Sequence, residues 1–161
     1  MVKGYSRTQV FLHWAVALLI LFNLIFSDAM SDLWRQIKQT GPTPTTIGAW
    51  AHIIVGVAVL VFVAWRLVLR VTRGVPHAPA STKPLLKLAG DAGHIALYAL
   101  MIALPVTGLL TFYGGIEVLG EVHGEVLKLL LLVLIAVHVA AAFFHHFVLK
   151  DGLLNRMRKA G

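Results

Sequence analysis

Eight histidines are the residues of this chain whose type and spacing could support chemistry. Seven of them fall within or beside long apolar segments, where an imidazole is costly in lipid and usually has a function. These seven are His13, His52, His94, His123, His138, His145 and His146, whereas His77 lies in a connecting loop and is given no role. An imidazole in such a place can ligate a metal, relay a proton or hydrogen-bond between helices.

Four of these histidines are predicted to form two layers across a membrane. His123 and His138 are fifteen residues apart in one segment, which separates them by about 22 Å along a helix and by about 60° around it. His52 lies near the end of its segment that matches His123 in depth, and His13 lies near the end that matches His138. Each layer therefore contains two imidazoles from different helices.

Two imidazoles at one depth match the two axial positions of a haem iron, for which neutral imidazole is a common ligand. The pattern predicts two non-covalent haem b groups, one between His13 and His138 and one between His52 and His123. The chain has no cysteine, which excludes c-type haem attachment, iron–sulfur clusters and thiolate metal sites. A zinc site or a proton relay remains an alternative interpretation of the same histidines.

Small residues accompany the histidines at helical spacing and would leave room for a porphyrin. They are Gly48 and Gly56 around His52, Ala141 and Ala142 after His138, and Ala17 after His13. Plain helix packing in a membrane uses small residues as well. Arg66 lies fourteen residues after His52, at the predicted depth of the His13 layer, and we expect Arg66 and Arg70 to pair with haem propionates. Snorkelling of these arginines to the lipid interface is the alternative.

Four apolar segments must position these side chains. The chain of 161 residues is 58% hydrophobic and 13% charged, which is too apolar for an ordinary soluble domain. Each segment reaches the roughly 20 residues that cross a bilayer as a helix. We therefore predict an all-α transmembrane four-helix bundle that forms a single domain over residues 1–161, with helices at about 8–29, 47–70, 91–113 and 122–149.

Local signals support the ends of these helices. Ser6 and Gln9 form a predicted capping box for the first helix, and Thr46 is a predicted N-cap for the second. Gly114 and Gly115 are expected to end the third helix, and Gly152 the fourth.

The basic residues predict the orientation of the bundle. Eleven of the fourteen lie on one side: Lys3, Arg7, Arg66, Arg70, Arg73, Lys83, Lys87, Lys150, Arg156, Arg158 and Lys159. Three basic residues and five acids lie on the other: Arg35, Lys38, Lys128, Asp28, Asp32, Glu117, Glu121 and Glu125. The positive-inside rule places both termini in the cytoplasm. The net charge of +7 then reflects topology, and no nucleic-acid partner is expected.

Specific stretches resemble the prokaryotic cytochrome b561 family over nearly the whole chain. They are "YSRTQVFLHW", "AHIIVG" with "RLVLR", "GHIALYALMIALPVTGL", and "HVAAAFFHHF" with "KDGLL". The plan is also similar to the membrane cytochrome b subunits of formate dehydrogenases and nickel–iron hydrogenases. The resemblance implies a four-helix bundle of the bacterial inner membrane with two b haems. Its ligand positions correspond to His13 and His138 for the cytoplasmic haem, and to His52 and His123 for the periplasmic haem.

The resemblance also implies electron transfer to ubiquinone. His145 corresponds to a residue that hydrogen-bonds a quinone carbonyl, although contact with a propionate or a lipid headgroup is an equal alternative. His94 is expected to line the quinone cleft or to contact a propionate, and it is a minor rival as haem ligand. His146 is expected at the lipid interface.

The electron donor stays open at this point. The resemblance implies superoxide for some family members, which would make the protein a superoxide:ubiquinone oxidoreductase. The alternative is a membrane subunit that exchanges electrons with a periplasmic cytochrome c or dehydrogenase docked on the acidic side. A histidine proton relay in a transporter is a third, non-redox hypothesis.

Overall fold

The structure is a computed structural model that describes residues 4–76 and 82–158. Lys3, His77 and Lys159 lie outside these residues. The all-α fold is confirmed. Its α-helices are α1 (Arg7–Ile25), α2 (Asp28–Thr40), α3 (Ile47–Arg73), α4 (Pro84–Gly114), α5 (Glu117–Glu121) and α6 (Lys128–Phe143). Two π-helical segments, π1 (Val122–Leu127) and π2 (Phe144–Leu149), adjoin α6, and a short 3-10 helix follows at Leu154–Met157.

Four helices of the described residues are long and apolar enough to cross a membrane: α1, α3, α4 and the continuous helix Glu117–Leu149. Their outer faces are strongly apolar. Large side chains such as Ile47 and Val71 are 90% and 83% exposed, which is typical of a surface that faces lipid rather than water. The four predicted spanning helices are therefore confirmed.

Contacts between distant residues show that α1 and α3 run antiparallel. The start of α1 meets the end of α3, where Gln9 Nε2 donates to the carbonyl of Gly74 at 3.1 Å. The end of α1 meets the start of α3, where Asn23 Nδ2 donates to the carbonyl of His52 at 3.2 Å. We call the end with Gly74 the basic end and the end with Asn23 the acidic end, after the residues that each one carries.

Helix boundaries differ from the prediction at four places, one of which is the end of α3 at Arg73 rather than at residue 70. α1 ends at Ile25 rather than at residue 29, and α4 begins at Pro84 rather than near 91. The fourth spanning helix begins at Glu117 rather than at 122, since Gly115 and Ile116 alone separate it from α4. Pro84 explains the early start of α4, because proline suits the first turn of a helix, where its missing N–H is not needed.

The amphipathic helix α2 was not predicted. It lies at the acidic end, where Leu33 is buried and Trp34 lines a cleft between the spanning helices. Asp28 in its first turn and Lys38 in its last turn complement the helix dipole. The search for apolar segments missed α2 because this helix is much shorter than a membrane span.

Most of the predicted caps are confirmed. Ser6 and Gln9 form the capping box of α1, and Thr46 Oγ1 accepts from the N–H of Ala49 at 3.2 Å. Gly115 ends α4 in the left-handed conformation, with φ of 67°. The fourth helix ends differently from the prediction, because Lys150 and not Gly152 is its left-handed C-cap, with φ of 51°.

The apolar core is small for four long helices. Val16, Val59 and Val63 form its buried cluster in the middle of the bundle, between α1 and α3. The histidine pairs lie on either side of this cluster, nearer the two ends of the bundle.

Candidate functional site

His52 of α3 and His123 of π1 face each other at the acidic end. Their ring centroids are 6.2 Å apart, with an angle of 72° between the ring planes. A cleft of about 280 Å³ opens between them. Most of its lining is apolar. Asn23 and Lys128 add polar side chains to this lining, and Gly56 and Gly108 add backbone.

The ring of His123 is fixed against α4. Its Nδ1 lies 2.8 Å from the carbonyl oxygen of Leu104 and 3.4 Å from Oγ1 of Thr107. A hydrogen bond from Nδ1–H to a carbonyl leaves Nε2 as the nitrogen with a lone pair, which is how a ligating imidazole is usually oriented. Gly108 provides the space, because a Cβ there would lie 3.0 Å from Cε1 of His123.

The ring of His52 has fewer contacts. Its Nδ1 is buried and has no hydrogen-bond partner in the described part of the chain, and the same holds for Oδ1 of Asn23. Gly56 lines the cleft as expected. Gly48 has another role, since a Cβ there would lie 2.6 Å from Cβ of Ala29. This contact favours a packing role, in which the absence of a side chain at Gly48 allows α2 to approach α3, over the predicted role of making room for a porphyrin.

His13 of α1 and His138 of α6 form a second pair at the basic end. Their ring centroids are also 6.2 Å apart, with an angle of 47° between the planes. The ring of His94 lies beside this pair, 5.5 Å from His138. Its Nδ1 is 2.7 Å from the carbonyl oxygen of Gly90. Since α4 begins at Pro84, His94 lies well inside that helix and does not open it.

Arg66 is the basic residue that the sequence places at the depth of this second pair. Its guanidinium carbon lies 5.9 Å from the ring centroid of Tyr98, and its Nε is buried without a hydrogen-bond partner among the described residues. In the same residues, Arg66 has no carboxylate within ion-pair distance. An unpaired donor of this kind is costly and suits an anionic partner. Arg70, one turn further on, is half-buried.

His145 lies in π2, beyond His138 toward the basic end, as predicted. Its Nδ1 is 2.5 Å from Oδ2 of Asp151, and the two side chains are 16% and 5% exposed. Oδ1 of Asp151 accepts from the N–H of Leu153 at 3.1 Å. Burial acts to raise the pKa of Asp151, but the hydrogen bonds from His145 and Leu153 outweigh it and hold this pKa below its ordinary value.

The sequence analysis missed several of these residues. Asn23, Gly108 and Asp151 contact the predicted histidines or their backbone, and Trp34 closes the acidic-end cleft. Asp151 had a local signal, because it follows His145 by six residues across a helix end. The role of Gly108 had none, since it depends on how α4 and π1 pack.

The fold and its sites define an integral membrane helical bundle with one pair of facing imidazoles near each end. The sequence profile of the prokaryotic cytochrome b561 family matches residues 4–160, and the chain belongs to this family. It is therefore a bacterial membrane electron-transfer protein that binds haem b.

Several curated relatives are similar to the chain over nearly its full length. Cytochrome b562 of Cereibacter sphaeroides is 37% identical, covering 97% of this chain and 96% of that protein. The probable superoxide oxidase CybB of Yersinia pestis is 29% identical, with 96% of each chain covered. Cytochrome b561 homolog 1 of Escherichia coli is 28% identical, covering 95% of this chain and 96% of that protein.

Proposed function

We propose that each imidazole pair holds one haem b, so that the protein carries electrons across the membrane between a donor at the acidic end and ubiquinone at the basic end. The observation that carries this proposal is the equal 6.2 Å separation of the two pairs. An iron with imidazole nitrogens on both sides, at bonds of about 2.0 Å, separates the ring centroids by about 6.3 Å. When bound, the haems would supply one-electron redox chemistry.

The expected separation of the ring centroids also distinguishes the predicted ligand His13 from its rival His94 at the basic end. His94 lies 5.5 Å from His138, which is shorter than two imidazoles on opposite sides of an iron require. His13 at 6.2 Å fits the partner of His138 better. The hydrogen bond from His94 Nδ1–H to the Gly90 carbonyl leaves Nε2 of the neutral ring as an acceptor, which suits a quinol hydroxyl at the edge of a quinone cleft; only a protonated ring could donate from Nε2 to a haem propionate.

The surrounding residues contribute binding and orientation. The Leu104 carbonyl and Gly108 hold His123 with Nε2 toward a ligand. Arg66, with its buried and unpaired Nε, suits one haem propionate, and Arg70 lies one turn closer to the basic end. With two histidines holding each haem, small molecules would react at the haem edge.

The orientation follows from charge. Apart from Arg35, Lys38 and Lys128, the basic residues of the described ranges belong to the basic end, and five acids belong to the acidic end. By the positive-inside rule we place the basic end and both termini in the cytoplasm, and the acidic end in the periplasm, of a protein in the bacterial inner membrane.

Superoxide is the donor that we favour. A relative named as a probable superoxide oxidase is 29% identical over nearly the whole chain. Lys128 supplies a cation in the acidic-end cleft, where its Nζ lies 3.3 Å from Oγ of Ser27. Arg35 and Lys38 attract an anion less, because each pairs with a carboxylate, at 3.5 Å to Asp32 and 3.6 Å to Glu121.

A redox protein docked at the acidic end is the second candidate. Asp28, Glu117 and Glu125 add negative charge at the acidic end, which suits a basic partner such as a cytochrome c. Opposite effects of one substitution distinguish the two donors. Lys128→Gln should slow reduction by the superoxide anion and leave or improve reduction by a basic cytochrome.

The test is electron transfer in proteoliposomes that contain ubiquinone. We expect superoxide generated outside to reduce the haem α-band and to yield ubiquinol with the purified protein alone. Failure with superoxide but success with a cytochrome c would favour the second candidate. Failure to form ubiquinol with any donor, although the haems are reduced, would contradict the quinone as acceptor.

A further inference from the structure

We infer that Asp151 is a positioning residue that holds His145 by Nδ1, so that Nε2 is the nitrogen that exchanges a proton with the quinone. This inference rests on the proposed function, which places ubiquinone near His145. It adds Asp151 to the proposed quinone site and assigns different roles to the two ring nitrogens of His145.

The backbone around Asp151 brings its carboxylate onto the ring. Lys150 adopts the left-handed conformation, which is unusual for a residue with a side chain. This turn folds the chain back at once, and the N–H of Asp151 reaches the carbonyl of His145 at 3.4 Å. The side chain then meets Nδ1 of the same histidine at 2.5 Å. Asp151 therefore contacts His145 through both backbone and side chain.

The π2 segment contributes to the same arrangement. A π-helical turn carries an extra residue compared with an α-helical turn, and such turns occur often at functional sites. Here π2 begins at Phe144 and ends at Leu149, so it contains His145 and leads directly into the turn with Asp151. The tail beyond is anchored to α1, because Trp14 Nε1 donates to the carbonyl of Met157 at 2.8 Å.

Charge favours a carboxylate in this pair. The side chain of Asp151 is 5% exposed, but it accepts from His145 and from the N–H of Leu153. Arg156 on the 3-10 helix adds a positive charge nearby. Asp151 thus remains ionised near neutral pH and can stabilise a positive charge on the ring.

The chemistry of the ring follows from the occupied Nδ1. A protonated ring donates from Nε2–H to a quinone carbonyl, whereas a neutral ring with Nδ1–H accepts at Nε2 from a quinol hydroxyl. Reduction of the quinone takes up two electrons and two protons. The electrons come from the reduced cytochrome, one proton moves from Nε2 to one carbonyl oxygen, and the second proton comes from water to the other oxygen. His145 regains its proton from water.

The experiment is a double-mutant cycle with Asp151→Asn and His145→Gln, read in two ways. The first is the rate at which a saturating short-chain ubiquinone oxidises the reduced protein in a single turnover. The second is the ¹⁵N NMR signature of the His145 ring, which reports the protonation of each nitrogen. His146→Gln serves as the matched control, because its ring packs on Phe147 at 4.8 Å rather than on a carboxylate.

We expect Asp151→Asn to slow the turnover by at least about tenfold at unchanged haem content, and to alter the His145 signature. The double variant should be no slower than His145→Gln alone, because both changes act through one ring. Asp151→Glu keeps the carboxylate and should recover part of the rate. If Asp151→Asn loses haem, Asp151→Glu is used in its place. His146→Gln should match the wild type.

If Asp151→Asn slows the turnover by the same factor in the wild type and in His145→Gln, the inference is overturned. Asp151 would then act through the C-terminal tail and not through the His145 ring. An unchanged ring signature in Asp151→Asn would overturn it as well. If His145→Gln reacts at the wild-type rate, the quinone assignment of His145 fails and this inference with it. The binding of two haems would be unaffected by that result and is tested separately.

Discussion

His123 occupies the space that a side chain at Gly108 would need. A Cβ at Gly108 would lie 3.0 Å from Cε1 and 3.2 Å from Nδ1 of the ring. The same ring is held 2.8 Å from the Leu104 carbonyl, one turn earlier on α4. The position of this proposed ligand is thus determined by the helix that faces it as well as by its own helix.

Gly108→Ala should therefore weaken haem binding at the acidic end. The added methyl must displace the ring or the helix, and such overpacking costs about 1–3 kcal/mol, which corresponds to a loss of about 5- to 150-fold in affinity. Haem titration of the apoprotein measures it, with the basic-end haem as an internal reference. Gly93→Ala, also in α4, is the control because its Cβ would meet nothing within 4 Å. Equal haem affinity in the two variants would contradict the prediction.

Arg66→Gln should lower the midpoint potential of the basic-end haem. Reduction adds negative charge, and a cation stabilises the reduced form; a unit charge about 10 Å away at an effective dielectric of about 20 contributes about 1.7 kcal/mol, or several tens of millivolts. Redox titration of the α-band measures the shift. Arg66→Lys keeps the charge and should shift the potential less. An unchanged potential in Arg66→Gln would mean that Arg66 is not near the haem.

Gly48→Ala should loosen α2 from α3. The new Cβ would lie 2.6 Å from Cβ of Ala29, and neither atom is at the end of a flexible side chain, so the helices must separate at a cost of about 1–3 kcal/mol. Faster limited proteolysis within Asp28–Thr40 would report this opening. Ala29→Gly in the same chain should restore protection, because it removes the opposing methyl. A double variant as sensitive as Gly48→Ala would refute the contact.

Stability should depend on Asp151 in a pH-dependent manner. Its folded pKa lies below the ordinary 3.8, so its contribution is fully present above that pH and is lost as the pH falls through the lower folded value. The difference in melting temperature between wild type and Asp151→Asn should shrink as the pH falls from about 5 through the folded pKa of Asp151. A difference that grows over that acidic range would have the wrong sign.

The spanning helices could be predicted from the sequence because hydropathy over about twenty residues depends little on tertiary contacts. Caps such as Ser6 and Thr46 were equally local. The amphipathic helix α2 was missed because it is short and partly polar, although Ala29, Leu33 and Ile37 recur every fourth residue. That spacing is the signal that would have found it.

The histidine layers were predictable because depth follows from residue count at a fixed rise per residue. Which atoms surround each ring was not. Gly108, the Leu104 carbonyl and Gly48 act through distances between helices, and those distances depend on packing that one sequence does not encode locally. The end of the last helix was assigned to Gly152 because glycine usually adopts the left-handed conformation, whereas Lys150 adopts it here.

The most direct measurement for the central claim is the haem count per polypeptide by pyridine haemochrome, on the wild type and on His52→Ala and His138→Ala. Two haems are expected in the wild type and one in each variant, with the two variants retaining spectrally different haems. A wild type with one haem, or either variant with two, would contradict the assignment of one haem to each histidine pair.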